Sequence, residues 1–253
     1  MKKLAVLVLI ALCTSAPSGA FAQSMSAPAA PAAPAAPAAT PPAMSPMPTA
    51  AEQPFIARIQ KEIPARFATI AAAQKAGFFQ YTGEDRTGAI SYVNLKVWNS
   101  IDIDMPNQLW YDANGRLLGV DYTILESQSP KAPATLFGYA IDPARWVHRS
   151  AHMHWGFTAA DGSLKLGAMQ VQKFVDAGGT PSENQPDIPA NKVALVKAGI
   201  PGLTDPSQVK FVFLHPAMWD LIPWVLPNPD GAWADANPNV KPSQPPPLRP
   251  GAM

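Results

Sequence analysis

The stretch Gln108–Leu125, which reads QLWYDANGRLLGVDYTIL, carries the clearest fold signal in the chain. Apolar and aromatic residues fill both of its halves, and Asn114-Gly115 lies between them. Asn-Gly between two strand-like runs is typical of a β-hairpin, because both residues tolerate the left-handed backbone of a tight turn. The sequence therefore predicts strands over residues 108–112 and 116–125, at the start of an antiparallel meander.

Further turn and periodicity signals extend this pattern on both sides. Apolar spacing predicts a helix over Glu52–Glu62, and Pro64 is expected to open a second helix that runs to Ala76 and ends at Gly77. Strand-like patterns follow at Ile90 and Tyr92 and at residues 95–98. A second hairpin is predicted from residues 152–158 and 164–170, which flank Ala160-Asp161-Gly162. A helix over residues 191–197 and a strand over residues 209–214 complete the pattern.

These elements define the expected fold class and domain organisation. N-terminal helices followed by a mainly antiparallel β-sheet indicate a single α+β domain, which we place at residues 51–240. Residues 23–50 are rich in Ala and Pro and contain no charged or aromatic residue, so they are predicted to form an extended linker. Residues 241–253 are predicted to form a Pro-rich tail.

The N-terminus predicts export from the cytoplasm. Residues 1–22 begin with two lysines, continue with an apolar run from Leu4 to Cys13 and end in Ala20-Phe21-Ala22, which is the pattern of a secretory signal peptide cleaved after Ala22. The apolar run is shorter than the ~20 residues that a membrane span needs. We therefore expect a periplasmic or secreted protein without a membrane span.

Composition restricts the possible chemistry. Cys13 is the only cysteine and falls in the predicted leader, so the exported chain would have neither a disulfide nor a thiolate ligand. The whole chain has 19 Lys and Arg against 18 Asp and Glu, and no basic run stands out. We therefore do not expect a nucleic-acid partner.

The histidines provide the strongest functional signal. His148, His152 and His154 fall in the run from Trp146 to Trp155, and the fourth histidine is His215. In a strand the side chains of His152 and His154 point to the same face, with Cα atoms roughly 6.6 Å apart. His215 follows a predicted strand, and all three imidazoles converge if that strand pairs near His152. His148 is a fourth possible ligand, or a donor that orients one.

Three nitrogen ligands and no thiolate favour copper(II) or zinc(II). The expected partner is then a metal ion or a small molecule. The alternative is a hydrogen-bonded pair of core or surface histidines without a metal. A third interpretation concerns Trp219, Trp224 and Trp233, which form either an aromatic binding corner or part of the core.

Two stretches resemble a group of uncharacterised secreted bacterial proteins. Residues 106–122 are similar to their "PxxLxYd…GrLvGVeY" pattern, and residues 215–240 are similar to their closing "LHxxxW…NPxGxFAxxNPxV" element. Trp233 replaces the usual Phe, and Pro216 follows His215 directly. The resemblance implies a secreted globular domain with a metal-capable histidine near its C-terminal motif, and it implies no reaction.

The sequence thus supports three functional hypotheses. The first is a metal-binding protein that holds copper or zinc through His152, His154 and His215, with help from His148. The second is a metal-dependent enzyme that uses the same three histidines, with Asp220 as the nearest acid or base in the sequence. The third is a metal-free interaction or structural protein that uses the Trp-rich corner.

Overall fold

A computed structural model describes residues 45–184 and 188–243 of the chain. The predicted signal peptide lies outside the described residues, as do most of the predicted linker and tail. The helices are α1 (Gln53–Phe67), α2 (Ile70–Lys75), α3 (Val171–Asp176) and α4 (Pro189–Lys197). The strands are β1 (Phe79–Gln80), β2 (Ile90–Val93), β3 (Gln108–Tyr111), β4 (Leu117–Leu125), β5 (Thr135–Leu136), β6 (Tyr139–Ala140), β7 (Trp146–Arg149), β8 (His152–Thr158), β9 (Leu164–Gln170), β10 (Val209–His215) and β11 (Met218–Leu221).

The strands form two main sheets, and every strand pair among the described residues is antiparallel. The larger sheet has the order β1-β2-β3-β4-β11-β7, and the smaller one has the order β10-β8-β9. Strands β5 and β6 form a separate ribbon. The predicted α+β class with a mainly antiparallel sheet is confirmed.

Both predicted hairpins are present. Gly115 has a φ of 79°, and the Asp112 carboxylate accepts hydrogen bonds of 2.9 Å from the backbone N–H groups of Asn114 and Arg116. The carboxylate therefore holds the turn between β3 and β4 closed. Strands β8 and β9 pair in register from His152 opposite Gln170 to Thr158 opposite Leu164.

Apolar side chains arrange these elements in layers. Helix α1 buries one stripe of side chains, including Phe55, Ile59 and Ile63, against one face of the six-stranded sheet. The other face of that sheet contacts the three-stranded sheet through a cluster that includes Met218 and Phe213. The far face of the three-stranded sheet packs against α3 and α4. Each sheet is therefore covered on both faces, and the two sheets face each other.

Some predictions from the sequence were wrong, and some elements of the structure had not been predicted. Pro64 does not open a second helix, because it lies inside α1, and Thr69 instead caps the start of α2 with its side chain. Burial of Ile63 and Phe67 in the core keeps the helix intact despite a proline that costs about 3 kcal/mol in a helix interior. Residues 95–98 lie in a loop, and β7 and β11 were not predicted.

Among the described residues, no helix combines the length and apolar character needed to cross a membrane.

A buried ion pair connects the start of α1 to the chain before it and to the segment before β7. The guanidinium of Arg145 donates to the Glu52 carboxylate at 3.0 and 3.1 Å, and their side chains are only 4% and 1% exposed. Arg145 also donates to the carbonyls of Ser45 and Met47, at 2.6 and 3.0 Å. Residues 45–50, which fall in the predicted linker, therefore lie against the domain.

We predict that Glu52→Gln destabilises the protein by about 3 kcal/mol, because it leaves the Arg145 charge buried without its partner. Burial raises the pKa of Glu52, but hydrogen bonds from Arg145 and from backbone N–H groups, together with the Arg145 charge, outweigh it and lower that pKa overall. The stabilisation by the ionised carboxylate is thus present above the ordinary pKa of a glutamate and is lost in acid.

Urea unfolding from about pH 7 to about pH 3 measures both effects. The parent should lose more stability in acid than Glu52→Gln does. The matched control is Glu62→Gln. It breaks the ion pair between Glu62 and Lys61, whose side chain is 82% exposed. That change should stay within about 0.5 kcal/mol. Equal costs for the two variants would contradict the prediction.

Candidate metal centre between the two sheets

Strands β8 and β10 bring three of the four histidines together. His215 lies directly opposite His152 in the strand register, and His154 lies one side-chain repeat further along β8 on the same face. The rings of His152 and His215 are stacked, with centroids 4.6 Å apart, and the His154 ring lies 4.8 Å from His152 and 5.8 Å from His215. The convergence that the sequence made conditional on strand pairing is therefore present.

Backbone carbonyls determine which nitrogens are available in this cluster. The Nδ1 atom of His152 lies 2.8 Å from the Ser150 carbonyl oxygen, and that of His215 lies 3.2 Å from the Pro216 carbonyl oxygen. A carbonyl oxygen only accepts, so both Nδ1 atoms carry a proton, and the neutral form of either ring has its lone pair on Nε2. The Nε2 atoms of His152 and His154 are 3.0 Å apart. These nitrogens are those that a metal ion would use.

Two of the imidazoles are deeply buried. His154 is 9% exposed and His215 is 3% exposed. Burial, followed by the proximity of His152, lowers the pKa of His154 to about 3, and burial with both neighbouring histidines lowers the pKa of His215 to about 3. Both rings are therefore neutral near pH 7, which is the form that ligates metals.

A cavity of about 270 Å³ separates the histidines from the six-stranded sheet. The histidines form one wall, and polar side chains of the larger sheet and its loops form the other. The hydroxyl of Tyr81 donates to the side-chain oxygen of Gln108, and the Tyr81 ring contacts His154 edge-on at 4.7 Å. The residues that contribute to the larger sheet's side include Tyr81, Asp85, Ser91, Gln108, Trp110, Asp121, Arg149, Asp220 and Ile222.

Two carboxylates are buried at this cavity. Asp121 and Asp220 are 4% and 3% exposed, and the Oδ1 atom of each has no hydrogen-bond partner among the described residues. Asp220 Oδ2 accepts from Nε of Arg149 at 3.2 Å. Burial raises the pKa of both groups, and the charge of Asp220 raises that of Asp121 further. A shared cation would stabilise both ionised carboxylates.

Asp220 was the acid or base nearest to the histidines in the sequence, whereas Asp121 was missed. The available signal was an acidic residue within the run Leu117–Leu125, whose first seven residues are all buried. A charged residue in such a strand needs a specific partner. Tyr81 carried no comparable signal, because tyrosine is common in strands and only tertiary packing brings it to His154.

His148 does not join the other three histidines, which corrects its prediction as a ligand or an orienting donor. Alternation along β7 places it on the opposite face of the six-stranded sheet from Arg149. Its ring instead contacts Trp219 at 4.8 Å, and its Nε2 lies 3.4 Å from Glu126 Oε2.

The side chains are not arranged around an ion. Among residues 45–184 and 188–243, no three His, Cys, Asp or Glu residues are spaced as a metal-ligand set. The rings of His152 and His215 lie nearly parallel, at an interplanar angle of 19°. Rotation of one ring about its side-chain bonds is needed before all three imidazoles point at one ion.

The predicted tryptophan corner is largely taken up by packing. Trp224 is 2% exposed, and its indole N–H donates to the Ala234 carbonyl at 2.6 Å. The indole of Trp219 donates to the Ser129 carbonyl at 3.1 Å, and Trp233 stacks on Phe55.

Comparisons of this chain with protein families, curated proteins and solved structures found no match. The geometry of the site is therefore the basis for any functional conclusion.

We predict that Asp121→Asn stabilises the metal-free protein by about 1–2 kcal/mol near pH 7, because it removes a buried carboxyl group whose ionised form is disfavoured by burial and whose Oδ1 atom has no hydrogen-bond partner among the described residues. A carboxyl group whose pKa is raised by folding contributes stability at low pH and loses it as the pH rises. The gain from Asp121→Asn should therefore increase from about pH 5 to about pH 8.

Urea unfolding of the metal-stripped protein at these two pH values measures the gain. The control is Asp230→Asn, which removes the same charge at an exposed turn and should change stability by less than about 0.5 kcal/mol. A loss of stability in Asp121→Asn, or a gain independent of pH, would count against a strained carboxylate.

Proposed function

We propose that this protein is a periplasmic or secreted protein that binds a copper or zinc ion through His152, His154 and His215. One observation carries the proposal: three imidazoles converge at one end of a cavity between two sheets, and two of them already hold their Nδ1 protons on backbone carbonyls. Histidine ligands of metal ions commonly donate their second ring nitrogen in this way, which fixes the tautomer.

The separation of the nitrogens fits shared ligation. Two nitrogens that each lie about 2.0–2.1 Å from one tetrahedral zinc ion are roughly 3.3 Å apart. The Nε2 atoms of His152 and His154 lie 3.0 Å apart. A direct hydrogen bond between the two rings gives the same distance, so binding must be measured.

The charge balance of the cavity supports a cation. Asp121 and Asp220 are buried within it, and Arg149 is the cationic side chain among its lining residues. Full ionisation of the two buried carboxylates would leave an excess of negative charge over one guanidinium in a region of low dielectric, and the pKa of both groups is raised by burial. A divalent ion beside neutral imidazoles would offset that excess.

The lack of a cysteine outside the predicted leader leaves no thiolate ligand, and the histidines of the cluster supply nitrogen ligands. Such a set favours zinc(II) or copper(II) over thiolate-dependent sites. The residues present therefore fit either of these ions, and the role that follows directly is binding or handling the ion.

A metal-dependent enzyme is the second candidate, and the two buried carboxylates favour it. Asp121 and Asp220 line the same cavity as the histidines, and a carboxyl group with a raised pKa is suited to accept or donate a proton near neutral pH. A bound ion would supply Lewis acidity toward water or a substrate oxygen.

We predict that the metal-stripped chain from residue 23 onward binds zinc(II) or copper(II) with a 1:1 stoichiometry in calorimetric titration. His152→Ala and His215→Ala should each weaken binding by at least about tenfold, because each removes one of three ligands. His148→Ala is the matched control, and it should bind like the parent because its ring lies on the far face of the sheet.

Thermal unfolding with and without the ion provides a second readout, because a ligand that binds only the folded state raises its stability. Binding that survives the loss of His152 and His215 would contradict the proposal. If the parent binds neither ion and gains no stability from it, a metal-free interaction protein becomes the better interpretation.

A further inference from the structure

A second cavity adjoins the candidate metal centre. It has a volume of about 390 Å³ and shares four lining residues with the cavity of about 270 Å³ beside the histidines, which we call the inner cavity. Its other walls include Arg86, Arg145, Trp224 and Trp233. We call it the outer cavity. The residues common to both cavities are Asp85, Trp110, Arg149 and Ile222.

The outer cavity contains hydrogen-bond donors that have no acceptor. The Nε1 atoms of Trp110 and Trp233 are both buried, and neither has a partner among the described residues. An indole N–H donates only. A buried donor without a partner costs about 1–3 kcal/mol, and an acceptor bound beside these two lining residues would remove that cost.

Arg149 adds a fixed guanidinium at the boundary of the two cavities. Its Nε donates to the buried Asp220 carboxylate at 3.2 Å, and within the described ranges its two terminal nitrogens make no hydrogen bond. The side chain is 47% exposed. The contact with Asp220 orients the guanidinium, and the terminal nitrogens remain free to bind a planar or tetrahedral oxyanion.

Arg86 provides a second free cation. It lies in the exposed turn between β1 and β2, and the described part of the chain offers it no ion-pair or hydrogen-bond partner. Arg145 differs, because Glu52, Ser45 and Met47 take its guanidinium. Arg145 therefore lines the cavity, but its guanidinium is already engaged by other groups of the chain.

Two carboxylates at the outer cavity, those of Asp85 and Asp235, would repel an anion, and both are exposed. Asp85 Oδ1 already accepts hydrogen bonds from the backbone N–H of Thr87, its hydroxyl and the backbone N–H of Ala89, at 2.7, 2.6 and 3.1 Å. Asp235 lies on the wall formed by Trp233 and Ala234. Solvent screens both charges more than it screens the buried donors.

We propose that the outer cavity binds the oxyanion group, a carboxylate or a phosphate, of a small organic molecule. Arg149 and Arg86 pair with its oxygens, and the Trp110 indole donates to it. The Trp110 and Trp224 rings, which meet edge-on at 6.2 Å, line the path of the uncharged part of the molecule. Only the further step, in which the other end of this molecule reaches an ion held by the histidines, rests on the proposed function.

Calorimetric titration of the chain from residue 23 onward tests the subsite, with inorganic phosphate and acetate as separate probes. The first titrations use metal-stripped protein freed of chelator, and the second use zinc-loaded protein. Arg86→Gln should weaken binding about fivefold and Arg149→Gln about tenfold or more. Trp110→Phe, which removes the N–H group together with the five-membered ring of the indole, should weaken it severalfold.

The matched control is Arg66→Gln on α1. Arg66 is 45% exposed and lies 3.8 Å from Asp104, so it resembles Arg149 in charge, exposure and pairing but is remote from the cavity. Circular dichroism checks that each variant folds. If Arg149→Gln does not fold, Arg86→Gln and Trp110→Phe still decide the question.

Weakening in the cavity variants, with parent-like binding in Arg66→Gln, supports the subsite, and the better of the two probes identifies the group. No binding of either probe up to millimolar concentrations, or equal weakening in Arg66→Gln, overturns it. Anion binding by a chain that binds neither zinc nor copper would keep the subsite and reject the proposed function. Zinc binding without anion binding would reject the subsite alone.

Discussion

The antiparallel pairing of β8 with β10 is the constraint on which the rest of this structure depends. It sets His152 opposite His215, and the same register sets Phe213 opposite His154. A shift by one residue would turn every side chain of one strand to the other face. The three imidazoles would then separate, and Phe213 would leave the contact between the two sheets. The site and the inter-sheet core therefore depend on one register.

Two kinds of side chain, aromatic and polar, occupy the space between the sheets. Aromatic residues such as Trp98, Phe211 and Phe213 close one part of it, while histidines and aspartates surround the inner cavity. A polar cluster with buried unpaired atoms lowers stability, and an apolar filling of the same volume would avoid that cost. Natural proteins retain such strain mainly where a ligand relieves it. The orphaned atoms of Asp121, Asp220 and His154 thus support the proposed cation site, and the orphaned indole N–H groups of Trp110 and Trp233 support the proposed oxyanion subsite.

Arg149 connects the two cavities. Its Nε donates to Asp220, and the side chain lines both the inner and the outer cavity. A negative group bound outside would compete with Asp220 for the guanidinium, and a cation bound inside would relieve that competition. Binding at the two proposed sites would thereby be coupled through one side chain, in the sense that each ligand would change the electrostatic free energy of the other.

Local sequence determined the elements that depend on neighbouring residues. The Asn-Gly turn, the strand alternation of residues 152–158 and the spacing of His152 and His154 are short-range properties, and the structure contains both hairpins where they were expected. The meeting of His215 with His152 depends on a pairing across more than sixty residues. The arrival of Asp121 and Tyr81 at the same cavity also depends on contacts between distant segments. The pairing of β7 with β11 likewise decides which face of the sheet carries His148. Only tertiary structure decided these, because long-range strand order and the facing of two sheets follow from the burial of whole surfaces.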